Sequence, residues 1–303
     1  MQSFKYLLNG WQIESERELP FLVRAPFGNA NSDVCIAFRT VTEPASPPLF
    51  SLRELHVYSQ DCAIYAPSNG FRFLIENGNS IVAEFPDSIT DATLHTWLFG
   101  APVAWLCHQR KLTPLHACVV QVGKQAVALA ANSGGGKSTT ARALIARGHG
   151  LLTDDQAVID PITLDVQPGY PSMKLWSRTA EYAGDAMLPA MRVADKADKF
   201  HIPLLSAFCH QGAPLGLVVA LTHSENADQP RFELAAPIEA AALLQQFIFR
   251  GDASRQLDRG QSNFLWSLAL SRKVPVVKLI RPDNLSVLDQ TCLAIEQFVG
   301  FEN

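Results

Sequence analysis

The stretch from residue 127 to residue 148 constrains the fold more than any other, because a strand pattern, a glycine cluster and a helix pattern follow one another in it. Residues 126–131 form a short apolar run typical of a buried strand. The segment Ser133-Gly-Gly-Gly136 interrupts that strand, since glycine permits a positive φ. Residues 137–147 are then predicted to be helical, with Gly148 at the C-terminal cap.

This order of elements predicts a phosphate-binding site, because the free N–H groups and the dipole at a helix start attract an anion. The pattern G-x-x-x-x-G-K-[ST] reads Ala131-Asn-Ser-Gly-Gly-Gly136-Lys137-Ser138, with Ala131 in place of the first glycine. Lys137 is predicted to reach the β and γ phosphates of ATP, and the Ser138 hydroxyl to bind Mg²⁺. An ordinary glycine-rich turn with a surface lysine is the alternative that this complete order disfavours. The predicted nucleotide-binding residues are Asn132, Ser133, Gly134, Gly135, Gly136, Lys137, Ser138 and Thr139.

Two adjacent acids, Asp154 and Asp155, lie one helix further along, within the apolar run 151–159 that we predict to be a strand. A carboxylate beside a phosphate loop commonly holds Mg²⁺. We predict that Asp154 supports the metal together with Ser138 and that Asp155 accepts the proton of an attacking hydroxyl. A solvated acidic turn is the alternative.

The composition excludes several classes of protein. The chain has 303 residues, 48% of them hydrophobic and 18% charged, which suits a sizeable core and not a disordered chain. The net charge is −4 and no basic run is present, so a nucleic-acid partner is not expected. The six cysteines are scattered, which disfavours a disulfide framework or a zinc site. No apolar run approaches the ~20 residues that a membrane span needs, so we expect a cytoplasmic protein without a membrane partner.

The fold class predicted from these patterns is α/β, with a boundary near residue 111. Residues 1–86 are mostly β, with turn signals at Asn9-Gly10 and Asn77-Gly78. Residues 88–110 have a helical pattern that Gly100-Ala-Pro102 should divide, with Asp91 as its N-terminal cap. We therefore predict a β-rich N-terminal domain over residues 1–111 and a nucleotide-binding catalytic domain over residues 112–303. In the second, residues 215–221 are predicted to be a buried strand that pairs with residues 231–234.

Three segments together resemble the catalytic domain of HPr serine kinases. They are Leu115-His116-Ala-Cys-Val, the glycine loop through Ser138, and Arg147-Gly-His-Gly-Leu-Leu-Thr-Asp154-Asp155. The segments 109–116 and 274–278 look more like the HPr-kinase-related proteins found with ribosomal peptide clusters. Some of those proteins phosphorylate the C-terminal serine of lasso-peptide precursors. The match covers residues 109–160 well and the last third of the chain loosely.

The resemblance implies active-site roles for His116, Lys137, Ser138 and Asp155, although spacing alone makes a lone histidine at a strand end more often structural. We predict Asp155, His116 and Lys137 as catalytic residues and ATP and Mg²⁺ as cofactors. The resemblance also implies that the phosphate loop lies in a mixed sheet similar to that of phosphoenolpyruvate carboxykinase. A homo-oligomer would fit it, since HPr kinases assemble as hexamers, but no sequence feature requires one.

The chain departs from the bifunctional HPr kinase/phosphorylases at two places. Thr139 stands where those enzymes usually carry Glu, and their Glu-Ile-Arg-Gly-type segment has no counterpart; Lys174-Leu-Trp176 and Glu181 occupy that region. HPr as substrate is therefore not expected. Glu181 is a guess for a second metal ligand, and the candidates for a basic residue at the transferred phosphoryl group are Arg250, Arg255, Arg281, Lys196 and Lys199.

We expect an ATP-dependent kinase that phosphorylates a serine of a peptide or small protein, with a lasso-type precursor as the implied acceptor. A kinase for a small-molecule alcohol is the first alternative, because nothing in the phosphate site selects the acceptor. A nucleotide-gated module that presents a peptide without chemistry is the second. The N-terminal domain either recognises the acceptor, for example by adding a strand to a sheet edge, or only covers the catalytic core.

Overall fold

A computed structural model describes residues 3–26, 31–67, 70–194, 196 and 198–300, without the side chains of residues 257 and 258. The N-terminal part is a nine-stranded sheet with the order β3-β1-β2-β4-β9-β8-β7-β6-β5. Neighbouring strands are antiparallel except that β4 runs parallel to β2 and to β9. The strands are β1 Phe4–Leu8, β2 Trp11–Ser15, β3 Val23–Arg24, β4 Val34–Phe38, β5 Phe50–Leu52, β6 Leu55–Ser59, β7 Cys62–Tyr65, β8 Arg72–Glu76 and β9 Ser80–Glu84.

Two of its hairpins turn where the sequence predicts. Asn9 and Gly10 have φ angles of 54° and 79°, and Asn77 and Gly78 have 54° and 66°. Two residues separate the paired Leu8 and Trp11, and three separate the paired Glu76 and Ser80. Positive φ at successive turn positions matches the twist of the flanking strands, and Asn-Gly adopts it easily.

Two helices follow the sheet, α1 at Asp91–Leu98 and α2 at Ala101–Gln109, and they separate at Gly100 as predicted. The predicted cap is wrong by one residue. The Thr90 hydroxyl accepts from the Thr93 backbone N–H, and Asp91 occupies the first turn instead. An acid there still complements the helix dipole.

The C-terminal part contains a mixed sheet with the order β12-β10-β11-β16-β18-β17, and β13 pairs with β16. β16 runs parallel to β11 and β18, and the other pairs are antiparallel. β14 and β15 form a separate hairpin. The strands are β10 Ala117–Val122, β11 Gln125–Ala130, β12 Gly150–Thr153, β13 Asp165–Val166, β14 Ser172–Trp176, β15 Lys199–Pro203, β16 Ala213–His223, β17 Arg231–Leu234 and β18 Val276–Arg281. The α/β class and the mixed sheet are confirmed.

The described residues of this part form six α-helices. They are α3 Lys137–Ala146, α4 Ser177–Ala183, α5 Pro237–Gln246, α6 Gly251–Ser254, α7 Gly260–Ser271 and α8 Leu288–Phe298. A π-helical turn at Arg255–Arg259 joins α6 to α7. None of the helices that the structure describes combines the length and apolar character that a bilayer crossing requires.

Two sequence predictions about strands are wrong. Residues 231–234 pair with β18 and not with β16, because β11 occupies one edge of β16 over residues 215–220 and β18 the other edge over residues 218–223. The strand predicted over residues 151–159 ends at Thr153, since Asp155 adopts a φ of 68° that a strand cannot contain.

The main N-terminal core lies between the first sheet and helices α1 and α2, with Phe73 and Trp105 fully buried in it. The same cluster includes Val158, Tyr170 and Ala253 from the C-terminal part. Apolar packing therefore continues across the boundary predicted near residue 111.

Candidate functional site

The glycine loop joins the end of β11 to the start of α3. It leaves no room for a side chain at Gly135 or Gly136. Gly134 and Gly136 have φ angles of 81° and 87°, in the region that favours glycine. A Cβ on Gly135 would lie 2.6 Å from the Cβ of Ala131, and a Cβ on Gly136 would lie 2.1 Å from Nη2 of Arg281. The loop thus accommodates Ala131 in place of the first glycine of the motif, because Gly135 has no Cβ and leaves space for the Ala131 methyl group.

Lys137 lies inside the loop that it follows. Its side chain is buried, and Nζ donates a hydrogen bond of 2.8 Å to the Ala131 carbonyl. Burial lowers the pKa of Lys137, while the charges of Asp155 and Asp154 act in the opposite direction. The ammonium is held close to the free N–H groups of the helix start, where an anion would bind.

Asp154 is fixed behind Ser138. Its Oδ1 accepts from the Ser138 hydroxyl at 3.3 Å, and its Oδ2 accepts from the Lys174 backbone N–H at 2.8 Å. Burial, and then the neighbouring Asp155 charge, raise the pKa of this carboxyl group. The structure thus brings together the two residues predicted to bind the metal.

Asp155 forms an ion pair with Lys174, and the two side chains are only 20% and 10% exposed. Burial alone would raise the pKa of Asp155, but the positive charges of Lys174 and Lys199 hold it below its usual range. Lys174 in turn keeps a raised pKa in spite of burial, chiefly because of Asp155. Asp155 is therefore an ionised carboxylate at neutral pH, with a lysine holding one of its oxygens.

His116 lies just before β10 and touches the same turn. Its Nδ1 is 3.0 Å from the Asp155 carbonyl oxygen, which can only accept, so Nδ1 carries a proton. Burial lowers the pKa of His116, so the ring is neutral and Nε2 offers a lone pair. The ring packs edge-on against Phe249, with ring centres 4.9 Å apart.

These elements enclose a cavity of about 250 Å³ that we call the phosphate cavity. Of the predicted site residues, its walls contain His116, Ser133, Gly134, Gly135, Gly136, Lys137, Ser138, Thr139 and Asp155. Asp154 lies behind this wall, and Asn132 faces a neighbouring cavity instead. Lys174, Leu175, Trp176, Thr179 and Lys199 complete the lining, and the Thr139 hydroxyl hydrogen-bonds that of Thr179 at 3.0 Å.

Sequence reasoning missed Lys174 as a partner of the acids. A lysine between the apolar residues Met173 and Leu175 was the available signal, since a buried lysine almost always has a charged partner. Tyr170 was missed as well; its hydroxyl hydrogen-bonds Lys174. No pattern in the sequence connects Tyr170 with the glycine loop.

The other candidates are distributed around the cavity. Lys199 lines it, whereas Lys196 and Glu181 are exposed and do not. Arg281 lies against the glycine loop, with Nη2 3.4 Å from the Gly135 carbonyl oxygen and 3.3 Å from Nε2 of His223. Arg250 and Arg255 line the neighbouring cavity.

The residues present fit ATP and Mg²⁺. The glycine loop has positive φ at two positions and no Cβ at three, which lets backbone N–H groups approach a phosphate closely. Ser138 and Asp154 offer hard oxygen ligands, and Mg²⁺ commonly takes one or two carboxylates plus phosphate oxygens. Among the described residues, no group of three or more His, Cys, Asp or Glu side chains could hold a metal ion by itself.

Comparison with known proteins gives little beyond this geometry. No family model matches the chain. Among solved structures, the HPr(Ser) kinase/phosphatase from Coxiella burnetii is similar, with 16% sequence identity over 61% of this chain and 96% of that chain. The TM-score is 0.28, and a likeness at that level carries no argument about fold family, activity or substrate. The function of this protein must therefore be inferred from the residues of the phosphate cavity.

Proposed function

We propose that this protein is an ATP-dependent phosphotransferase that moves the γ-phosphate of ATP to a serine hydroxyl of a peptide or small protein. One observation carries the proposal: the ionised Asp155 carboxylate faces the same cavity as the glycine loop, Lys137 and Ser138. An anion site alone would suit any nucleotide-binding protein. A carboxylate facing the bound phosphates has a further use, because it can accept a proton from the attacking group.

The protein's task in such a reaction is mostly to position groups and to stabilise charge. The loop N–H groups and Lys137 would hold the β and γ phosphates, while Ser138 and Asp154 would hold Mg²⁺. The metal would supply positive charge beside the phosphate oxygens. Lys174 and Lys199, which line the same cavity, would stabilise the charge of the transferred phosphoryl group.

Asp155 would accept the proton of the serine hydroxyl. A carboxylate with a lowered pKa is a weak base, but it is ionised throughout the neutral range and Lys174 fixes its orientation. Orientation matters more than basicity when the transition state is loose and little proton transfer precedes it. His116, protonated at Nδ1 by its bond to the Asp155 carbonyl, presents Nε2 to orient the base or the γ-phosphate.

The acceptor class is supported by the sequence resemblance to peptide-directed serine kinases. A lasso-type precursor peptide is the most specific acceptor that this resemblance suggests. A small-molecule alcohol and a non-catalytic peptide-presenting module are the competing possibilities, and one assay separates all three.

The test is incubation with γ-labelled ATP and candidate acceptors. We expect label in a serine peptide and a fall in turnover of about 10²- to 10⁴-fold for Asp155→Asn, the usual contribution of a general base. Asp87→Asn, at an exposed acid outside the cavity, should keep full turnover. Full turnover by Asp155→Asn would show that Asp155 is not the general base. Label in a small metabolite would indicate an alcohol kinase, and nucleotide binding without transfer would indicate a binding module.

A further inference from the structure

A second cavity, of about 690 Å³, lies next to the phosphate cavity, and His116 lines both. Asn132, at the start of the glycine loop, also lines it. A molecule in this second cavity would therefore lie beside His116 and the start of the glycine loop. We call it the arginine cavity, because Arg53, Arg250 and Arg255 contribute to its wall.

The charge of the arginine cavity is positive. None of the three arginines forms an ion pair with a described side chain. Asp252 is the acid in the lining, and one of its oxygens accepts from the Ala253 backbone N–H at 2.9 Å. Among the side chains that the structure describes, the lining of this concave site thus contains three arginines and one acid, and a concave site concentrates their field.

Arg250 is held in place at both its backbone and its side chain. It follows a segment that pairs with the residues just before β10: His116 N–H donates to the Phe247 carbonyl at 2.6 Å, and Phe249 N–H to the Pro114 carbonyl at 2.8 Å. The Arg250 guanidinium carbon lies 5.5 Å from the centre of the Tyr65 ring. The distance from this arginine to the catalytic histidine is therefore set by hydrogen-bonded backbone.

The N-terminal part contributes directly to this cavity. Arg53 belongs to the turn between β5 and β6, and Tyr65 to β7. Both elements lie at one end of the nine-stranded sheet. This contact gives the first sheet a role in acceptor recognition that does not require strand addition at an edge.

We propose that the arginine cavity binds an anionic group of the acceptor and so places the acceptor hydroxyl beside His116 and Asp155. The substrate class that follows is a hydroxyl compound carrying a carboxylate or a phosphate, since arginine binds both with paired hydrogen bonds. This inference rests on the proposed function, because it names the acceptor of that reaction. The anionic group has three sources: a peptide's free C-terminal carboxylate, an acidic side chain, or a phosphate ester.

The test uses four fluorescein-labelled serine peptides that differ in one group. The reference has glutamine beside the serine and an amidated C-terminus. The others carry a free C-terminal carboxylate, a glutamate, or a phosphothreonine instead. Binding is measured by fluorescence anisotropy with a non-hydrolysable ATP analogue and Mg²⁺ in excess, so that the glycine loop does not take up the anion.

We expect at least one anionic peptide to bind about tenfold more tightly than the neutral reference, as charge-assisted hydrogen bonds predict, and that peptide identifies the source. Combined Arg250→Gln and Arg255→Gln replacement should abolish the preference. Arg272→Gln, at an exposed arginine after α7, should leave it unchanged. Asp252→Asn should increase it, which keeps the test informative if the double variant folds poorly.

Equal binding of all four peptides, no binding of any, or a preference that survives in the double variant would overturn the proposal. Phosphate transfer is measured separately with the same peptides. A preference in binding without phosphate transfer would support the arginine cavity as an anion site and refute the kinase function. Equal transfer to neutral and anionic peptides would support the kinase function and refute the role of the arginine cavity.

Discussion

Gly136 is the residue at which the glycine loop tolerates least change. It combines a φ of 87° with the guanidinium of Arg281 at 2.1 Å from the position of a Cβ. Arg281 is only 5% exposed and cannot simply turn into solvent. Its contacts with the Gly135 carbonyl and His223 hold it against the loop.

Gly136→Ala should therefore lower ATP affinity by at least about tenfold and reduce thermal stability, because Arg281 and the loop must both move. Gly148→Ala is the matched control. Its φ of 99° imposes a comparable backbone strain, but nothing lies within 4 Å of its Cβ position. Titration with an ATP analogue and melting curves measure the two effects. Equal losses in both variants would show that the contact with Arg281 is unimportant.

The pair of Asp155 and Lys174 makes a second prediction at this scale. Lys174→Met leaves a largely buried carboxylate without its partner and should cost about 3 kcal/mol of unfolding free energy. Adding Asp155→Asn removes that charge and should recover much of the loss. Urea unfolding of the wild type, both single variants and the double variant measures the coupling. Additive effects would contradict the ion pair as described.

Motif residues were predictable from the sequence because a local pattern defines them. The glycine loop, Lys137 and Ser138 lie within eight residues of each other, and the two acids follow one helix later. Lys174 and Tyr170 were not predictable, since the pairing of Lys174 with Asp155 and the hydrogen bond of Tyr170 to Lys174 arise only in the folded chain. Asn132 belongs to the loop motif, yet its placement in the second cavity depends on a distant segment near residue 250.

At the scale of elements, α8 is joined to the end of α3 through Glu296. Arg147 donates two hydrogen bonds to its carboxylate, at 2.8 and 2.7 Å, and Nε2 of His149 lies 2.8 Å from Oε1. The Arg147-Gly-His149 segment that contributes to the family resemblance therefore has a structural partner here. Glu296 gave no signal in the sequence, because 147 residues separate it from His149.

Glu296 should make stability depend on pH. Hydrogen bonds from Arg147, followed by those from His149, hold its pKa below 4.5, its ordinary value, in spite of burial. A lowered pKa means that the folded state gains stability above about pH 4.5 and loses it as the pH falls through the folded pKa.

Glu296→Gln should cost about 1–3 kcal/mol at neutral pH, since glutamine keeps the shape but not the charge. It should also reduce the fall in melting temperature between pH 5 and pH 3. Glu225→Gln, at an exposed acid, is the control. Melting curves across this range decide the matter, and an unchanged pH profile in Glu296→Gln would refute the role of the carboxylate.

Elements were more predictable than their pairings. Asn-Gly turns and Gly100-Ala-Pro102 act within a few residues, so the hairpins and the helix break follow from the local sequence. The partner of residues 231–234 depends on which strand edge remains open after β18 has joined the sheet. β18 lies more than forty residues downstream, and no local pattern indicates its place in the sheet.

At the scale of the whole molecule, the two predicted domains share apolar packing. Val158, Tyr170 and Ala253 are buried in the same cluster as Phe73 and Trp105. Gln156 adds polar contacts by donating to the carbonyls of Phe99 and Gly100, at 2.8 and 2.6 Å. The boundary near residue 111 stays a prediction about sequence organisation, and the packing across it favours joint unfolding.

We therefore expect one cooperative unfolding transition. Of the five tryptophans, Trp11, Trp97 and Trp105 lie in the first part and Trp176 and Trp266 in the second. In a Trp176→Phe, Trp266→Phe variant, fluorescence reports only on the first part, whereas far-ultraviolet circular dichroism reports on both. Coincident urea midpoints are expected. Two separate midpoints would indicate independently folding domains.

The left-handed backbone of Asp155 has a consequence for anyone who wishes to inactivate this protein cleanly. Asparagine, aspartate and glycine tolerate a φ near 68°, whereas alanine strains there. An alanine scan at this position would thus disturb the turn that also carries the acceptor for His116, and lost activity would have two explanations. Asparagine deletes the charge while preserving the local conformation, so it alone attributes a defect to chemistry.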